Sequence, residues 1–268
     1  MPTQSAFLPL PRLTISAAAC LLIGACGFTS APDDDAVAIP AAALIGGGAP
    51  AQAQAPAKPS GIPAKNGVIV QAGDSIGFGL GADNWAAIEH LGLPPGIKIH
   101  NPSVSGKWML TGLGERDKEI YPFRDPKHTS VLLIEQGSND LFGGSSARHL
   151  HDNILRPFVA LSKAAGFYVA VNTVLPRRDD GWMANPEFER QRLEYNDLVR
   201  ANTVGADTII DTAADPELGD RADPATSGLF ADRVHPNRAG QERLVKIYTK
   251  PLSLLLQYPP RAPRTPAS

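Results

Sequence analysis

Five short apolar, β-branched runs punctuate residues 66–256, at 68–72, 97–100, 131–134, 168–174 and 208–210. The third and fourth are nearly unbroken apolar stretches, the pattern of strands covered on both faces. Helix-like segments lie between or after them, at 84–91, 146–165, 186–201 and 238–256. In the last, Leu244, Ile247, Leu252 and Leu255 follow a roughly helical period, and Asn237 suits an N-cap. Pro251 is expected to kink or interrupt that helix. Strands alternating with helices imply an α/β fold, a parallel sheet with right-handed crossovers. Ligands of such sheets bind beyond the carboxyl ends of the strands. Chemistry is therefore expected just after the apolar runs.

The ends of the chain differ in character. Nine of the 25 Pro fall in the first 65 residues and five from Pro251 onward, whereas only Phe7 and Phe28 of the 17 aromatics fall in those first 65. Such segments bury too little apolar surface to offset their conformational entropy. Residues 26–65 read as a flexible Ala/Pro/Gly-rich tether, 66–256 as one domain with a sizeable core, and 257–268 as a disordered tail. Residues 66–256 hold 20 Lys+Arg against 24 Asp+Glu, with no basic stripe. Nucleic-acid binding has no electrostatic footprint here. Both cysteines, Cys20 and Cys26, precede the domain, which can hold no disulfide, thiolate metal site or cysteine nucleophile.

Residues 13–25 form an apolar run after Arg12, too short to span a bilayer comfortably but suited to a secretory signal. The run ends in Leu22-Ile23-Gly24-Ala25-Cys26. This resembles a bacterial lipobox, which implies a signal peptide over 1–25, cleavage before Cys26, and acylation of that cysteine. The implied location is the cell envelope, lipid-anchored on the periplasmic side or at the outer membrane. An ordinary secretory signal cleaved near Ala25 is the other reading.

Four polar blocks sit where the sheet rule puts chemistry. Gly73-Asp74-Ser75-Ile76-Gly77 follows the first run, and Asn101-Pro102-Ser103-Val104-Ser105-Gly106 the second. Gly137-Ser138-Asn139-Asp140 follows the third, and Asp232-Arg233-Val234-His235-Pro236-Asn237 precedes the last helix. Each alone is commonplace, as a turn, a strand exit or a capping pair. Together they form one requirement. A serine hydroxyl needs a base to take its proton, and histidine suits that task near neutrality. The base must be oriented, and Asp232 stands three residues before His235. A developing oxyanion needs preset donors. Gly106 offers an unobstructed N–H, Asn139 a side-chain amide, and Ser75 its own N–H.

In order and spacing, these blocks resemble the SGNH, or GDSL-like, hydrolases from Gly73 to His235. The resemblance implies Ser75 as nucleophile, His235 as general base and Asp232 as its orienting residue. It implies an oxyanion hole of the Ser75 N–H, the Gly106 N–H and Asn139. It also implies a three-layer α/β/α, flavodoxin-like fold with a five-stranded parallel sheet, and no cofactor or metal. Residues 196–200, Asn-Asp-Leu-Val-Arg, resemble a helix segment common in the family, with packing as their expected role. Ile76-Gly77 and Glu135-Gln136 depart from the usual family pattern.

Rival motifs fail. Ser105-Gly106-Lys107 superficially resembles a phosphate loop, but Asn101 replaces its first glycine and Trp108 its Ser/Thr. His149-Leu150-His151-Asp152 reads as an exposed polar cluster rather than a metal site. The implied substrate is a small acyl ester or an acetylated glycan, with carbohydrate O-deacetylation at the envelope one option. Thioesters or lysophospholipids with longer acyl chains are the alternative, as is a catalytically inactive glycan-binding protein. Trp108, Phe142, Arg177, Arg178 and Trp182 are candidates to line the substrate site or to pack. Mass spectrometry of the native protein is expected to show an acylated Cys26 as the first residue; an unmodified Cys26 would remove the anchor.

Overall fold

The computed structural model describes residues 58–178 and 185–264. Residues 1–25, Cys26, the tether as far as 57, Trp182 and residues 265–268 lie outside the described residues. The strands are β1 (Asn66–Gly73), β2 (Gly96–His100), β3 (Ser130–Glu135), β4 (Tyr168–Asn172) and β5 (Thr208–Ile210). All pair in parallel, in the order β2-β1-β3-β4-β5. This is the flavodoxin-like strand order.

Alternation along each strand sorts the core into two layers. Val68, Val70, Ala72, Leu132, Ile134, Val169 and Val171 face one side. Against them pack α2 (Met109–Glu119), α3 (Ser138–Phe142), α4 (Ala147–His149), α5 (Arg156–Ala164) and α6 (Phe188–Arg200). Ile69, Val131, Leu133 and Ala170 face the other side, under α7 (Arg238–Leu256) and a single 3₁₀ turn at Ala87–His90. The three-layer α/β/α arrangement follows. A four-residue helix, α1 (Ser75–Phe78), leaves the end of β1.

Three expectations are corrected. The helix over 84–91 shrinks to the Ala87–His90 turn. Asp83 and Asn84 both adopt positive φ, which no helix start tolerates, and the Ala87 N–H is taken by Gln241 Oε1 at 3.0 Å. Pro251 does not interrupt α7, whose buried Leu244, Tyr248, Leu252 and Leu255 hold both halves on the sheet. The tail is not disordered as far as 264. Tyr168 donates its hydroxyl to the Pro259 carbonyl at 3.0 Å, and Arg261 pairs with Asp207 at 2.7 Å. Arg261 also lies flat on the Tyr168 ring, 3.9 Å from its centroid. Composition hid these few directed contacts. The helical segment expected at 146–165 contains a π-helical stretch, Leu150–Leu155, between α4 and α5. Among the described residues no helix is long and apolar enough to cross a membrane.

Helix α6 fixes the segment leaving β4. Asn196 is fully buried; its Oδ1 accepts the Val174 N–H at 2.8 Å and its Nδ2 donates to the Val174 carbonyl at 2.9 Å. Packing alone therefore understates its role. Arg192, also fully buried, donates to the same carbonyl at 3.0 Å and pairs with Glu189 and Asp220. Asn196→Ala strands the Val174 N–H and is expected to lower unfolding stability by about 1–3 kcal/mol. Urea denaturation measures this, and an unchanged midpoint refutes it.

Candidate active site

Ser75 stands at the first position of α1, directly beyond β1. Its turn is held from several directions. Asp74 Oδ1 accepts the Ile76 N–H at 2.9 Å. Gln241 of α7 donates to the Ile76 carbonyl at 2.9 Å, and Asn101 to the Gly77 carbonyl at 2.9 Å. Gly79 ends α1 at φ 83°, with its would-be Cβ against the Trp85–Ala86 backbone, so glycine is required there.

His235 reaches Ser75 from the loop before α7. The Ala231 N–H donates to the His235 carbonyl at 2.8 Å and the Asn237 N–H to the Leu229 carbonyl at 2.8 Å, which closes the loop on itself. Arg233 takes the left-handed conformation at its tip, φ 70°. Asn237 caps α7 by accepting the Gly240 N–H at 3.1 Å, as its position suggested. His235 Nε2 lies 2.9 Å from Ser75 Oγ. On the other side of the ring, Nδ1 lies 2.7 Å from Asp232 Oδ2. Asp232 Oδ1 accepts the N–H groups of Val234 and His235 at 3.2 and 2.9 Å. Partial burial works to raise the Asp232 carboxyl, but these N–H groups and the imidazole hold it below the usual carboxylate range. An ionised Asp232 accepts from Nδ1–H and leaves Nε2 free to take a proton from Ser75.

Gly106, at φ 77°, has open space where a Cβ would stand. Asn139, in α3, donates through Nδ2 to the Lys107 carbonyl at 3.2 Å and approaches Asp74 Oδ2 at 3.4 Å. Gly106, Asn139, Ser75 and His235 line one open pocket of about 260 Å³, with Leu80, Ser105, Ser138, Arg177 and Val234. Thus the structure brings Ser75, His235, Asp232, Gly106 and Asn139 to one place. Arg177 stacks on Phe142, 3.9 Å from the ring centroid, and also lies at the pocket wall. Arg178 approaches Asp223 at 3.7 Å, and Trp108 packs its ring against Gly143. Among the described residues no group of three His, Cys, Asp or Glu side chains could hold a metal.

Several supports of the site escaped the sequence reading. Lys107, next to Gly106, is nearly buried and is clamped to Glu115 and Glu119 of α2. Asp140 accepts the Met109 N–H at 2.8 Å, so α3 holds the start of α2. Gln136 donates to the Gly73 carbonyl at 3.4 Å. The one signal for Gln136 and Asp140 was polarity just beyond the apolar run of β3.

The model of the GDSL-like lipase/acylhydrolase family matches residues 72–243. No curated protein matches the sequence. Among solved structures, TesA is 22% identical, with a TM-score of 0.53 over 70% of this chain and 99% of that one. The psychrotrophic esterase EstA from Pseudoalteromonas sp. is 18% identical, with a TM-score of 0.51 over 69% of this chain and 96% of that one. A catalytic mutant of Axe2, an acetylxylan esterase from Geobacillus stearothermophilus, is 16% identical, with a TM-score of 0.51 over 70% and 94%. At these identities the likeness is one of fold.

Removing the Asn139 amide takes one donor from the pocket that Ser75 and His235 also line. Asn139→Ala is expected to lower kcat on an activated ester by about 10²–10³-fold with little change in KM. Steady-state kinetics reads this, and an unchanged kcat would exclude Asn139 from charge stabilisation.

Proposed function

The chain belongs to the GDSL-like lipase/acylhydrolase family of ester-hydrolysing serine hydrolases, and on that premise we propose that Ser75, His235 and Asp232 carry the reaction. The observation that carries this is the continuous contact from Ser75 Oγ through His235 to Asp232, at 2.9 and 2.7 Å. Ser75 Oγ attacks the acyl carbon while its proton passes to His235 Nε2. Asp232 holds Nδ1–H and offsets the imidazolium charge. The tetrahedral oxyanion faces the N–H groups of Ser75 and Gly106 and the Asn139 amide. Collapse breaks the bond to the alcohol oxygen, which takes the proton from His235. Water then attacks the acyl-enzyme, its proton passing to His235, and Ser75 leaves with that proton restored.

The substrate we propose is a small acyl ester, such as an acetyl group on a polysaccharide. A shallow pocket of about 260 Å³ supports short acyl groups, and an acetylxylan esterase shares the fold. Longer acyl chains, as ester or thioester, are the second reading. Leu80 at the pocket and Val104 beside Ser105 are exposed apolar side chains that favour it. The lipobox-like sequence at Cys26 supports action at the cell envelope.

Hydrolysis of p-nitrophenyl esters is expected to be fastest for acetate and to fall toward palmitate. Ser75→Ala is expected to lower kcat by roughly 10⁴–10⁶-fold. Equal rates for the two proteins would overturn the serine mechanism, and a preference for palmitate would overturn the short-acyl assignment alone.

A further inference from the structure

Glu135 ends β3 directly opposite Gly73, on the last rung of the β1–β3 ladder. Its side chain is buried, and its Oε2 has no hydrogen-bond partner among the described residues. The carboxyl lies beneath the turn that carries Ser75. A Cβ on Gly73 would stand 2.9 Å from Glu135 Oε2 and would collide with Ser103 Oγ. A Cβ on Gly77 would collide with Glu135 Oε2, Gln71 Nε2 and Ser103 Oγ together. The two glycines leave the room that these three polar side chains share. From there contacts run outward. Gln71 Nε2 donates to Ser103 Oγ at 3.3 Å, Ser103 Oγ donates to Asn101 Oδ1 at 2.6 Å, and Asn101 Nδ2 returns to the Gly77 carbonyl at 2.9 Å.

We propose that Glu135 is a positioning residue. From beneath the 73–77 turn its side chain seats the backbone that fixes Ser75 Oγ and the Ser75 N–H, in register with the loop that carries Gly106. The inference rests on Ser75 being the nucleophile. Burial and the neighbouring Asp74 push the Glu135 carboxyl well above its ordinary range, against the pull of the Gly77 and Asp74 N–H groups. Asp74 is raised as well, by burial, against the Ile76 N–H; Asp140 adds to the rise and Arg177 opposes it. Two carboxyl groups in one buried site do not both ionise near neutral pH, and Glu135 is held there as the neutral acid. Tyr248, facing the pair from α7, is raised by burial and by Glu135, and so stays neutral; its hydroxyl accepts from Asn172 at 2.8 Å. Loss of the Glu135 proton sets a second negative charge under the nucleophile turn, close to where the oxyanion forms. A neutral acid and a carboxamide have nearly the same shape, so glutamine can take the same seat and alanine cannot.

The test compares wild type, Glu135→Gln and Glu135→Ala in p-nitrophenyl acetate hydrolysis across pH, and in the rate at which a fluorophosphonate labels Ser75. Glu135→Ala is expected to lose up to about 10²-fold in kcat and in labelling rate, with KM nearly unchanged, as a displaced nucleophile should. Glu135→Gln is expected to restore both at neutral pH. Wild-type kcat is expected to fall on the alkaline side as Glu135 ionises, and Glu135→Gln to lack that fall. An alanine variant as active as wild type, or an alkaline fall that persists in the glutamine variant, overturns the proposal. The glutamine profile decides alone should the alanine variant not fold. Failure of wild type itself to label at Ser75 is a separate outcome, which removes the serine mechanism.

Discussion

Parallel pairing of β1 with β3 is the constraint on which the active edge depends. It ends both strands on one rung, Gly73 opposite Glu135. The Ser75 turn and the Asn139 helix therefore leave the sheet side by side. Because β2 pairs on the far side of β1, the loop after β2 brings Gly106 to the same place. The triad-like contact is then completed by one distant loop. Gln241 ties that end of α7 to the Ser75 turn by bridging the Ile76 carbonyl and the Ala87 N–H. The Gln241, Asn101 and Asp140 supports are short and directed, which suits a site that must hold its groups within tenths of an ångström.

Strands were legible because both faces of the sheet are covered, which leaves long apolar runs in the sequence. Helix α2 was not. Met109 and Leu113 are its main buried apolar side chains, and Gly112 and Gly114 weaken its local preference. The structure explains Gly112, since a Cβ there would press on Gln136. The residues that meet at the pocket were legible because four separate blocks met one mechanistic requirement at one sheet edge. Their supports were not, because Gln71, Asn101 and Gln241 find partners far away in sequence and Glu135 lies against a turn on another strand's exit. A buried glutamine in a strand reads only as a break in pattern until its partner is seen.

A second layer of directed contacts lies behind the pocket. Arg192, Asp220, Arg200 and Asp211 form a chain of ion pairs, with distances of 2.6, 2.8 and 2.8 Å. It joins α6 to the segment that follows β5. Exposed pairs such as Arg190–Glu187 contribute little. The Arg192 guanidinium is fully buried, and removing one of its partners would leave charge uncompensated, a loss of about 3–5 kcal/mol. The same guanidinium and Asn196 grip Val174, three residues before Arg177 at the pocket wall. The ion-pair chain and the pocket wall thus share one mechanical support.

The C-terminal segment packs at the end of the sheet where the strands begin. Arg261 meets Asp207 just before β5 and the Phe167 carbonyl just before β4, at 2.7 and 2.6 Å. Ser60 donates its N–H to the Gln257 carbonyl at 2.9 Å, so the described chain starts beside the same edge. Both ends of the described residues therefore lie opposite the pocket. A carrier joined directly before Lys58 or directly after Arg264 would grip the described domain by its back and leave the pocket open to large molecules.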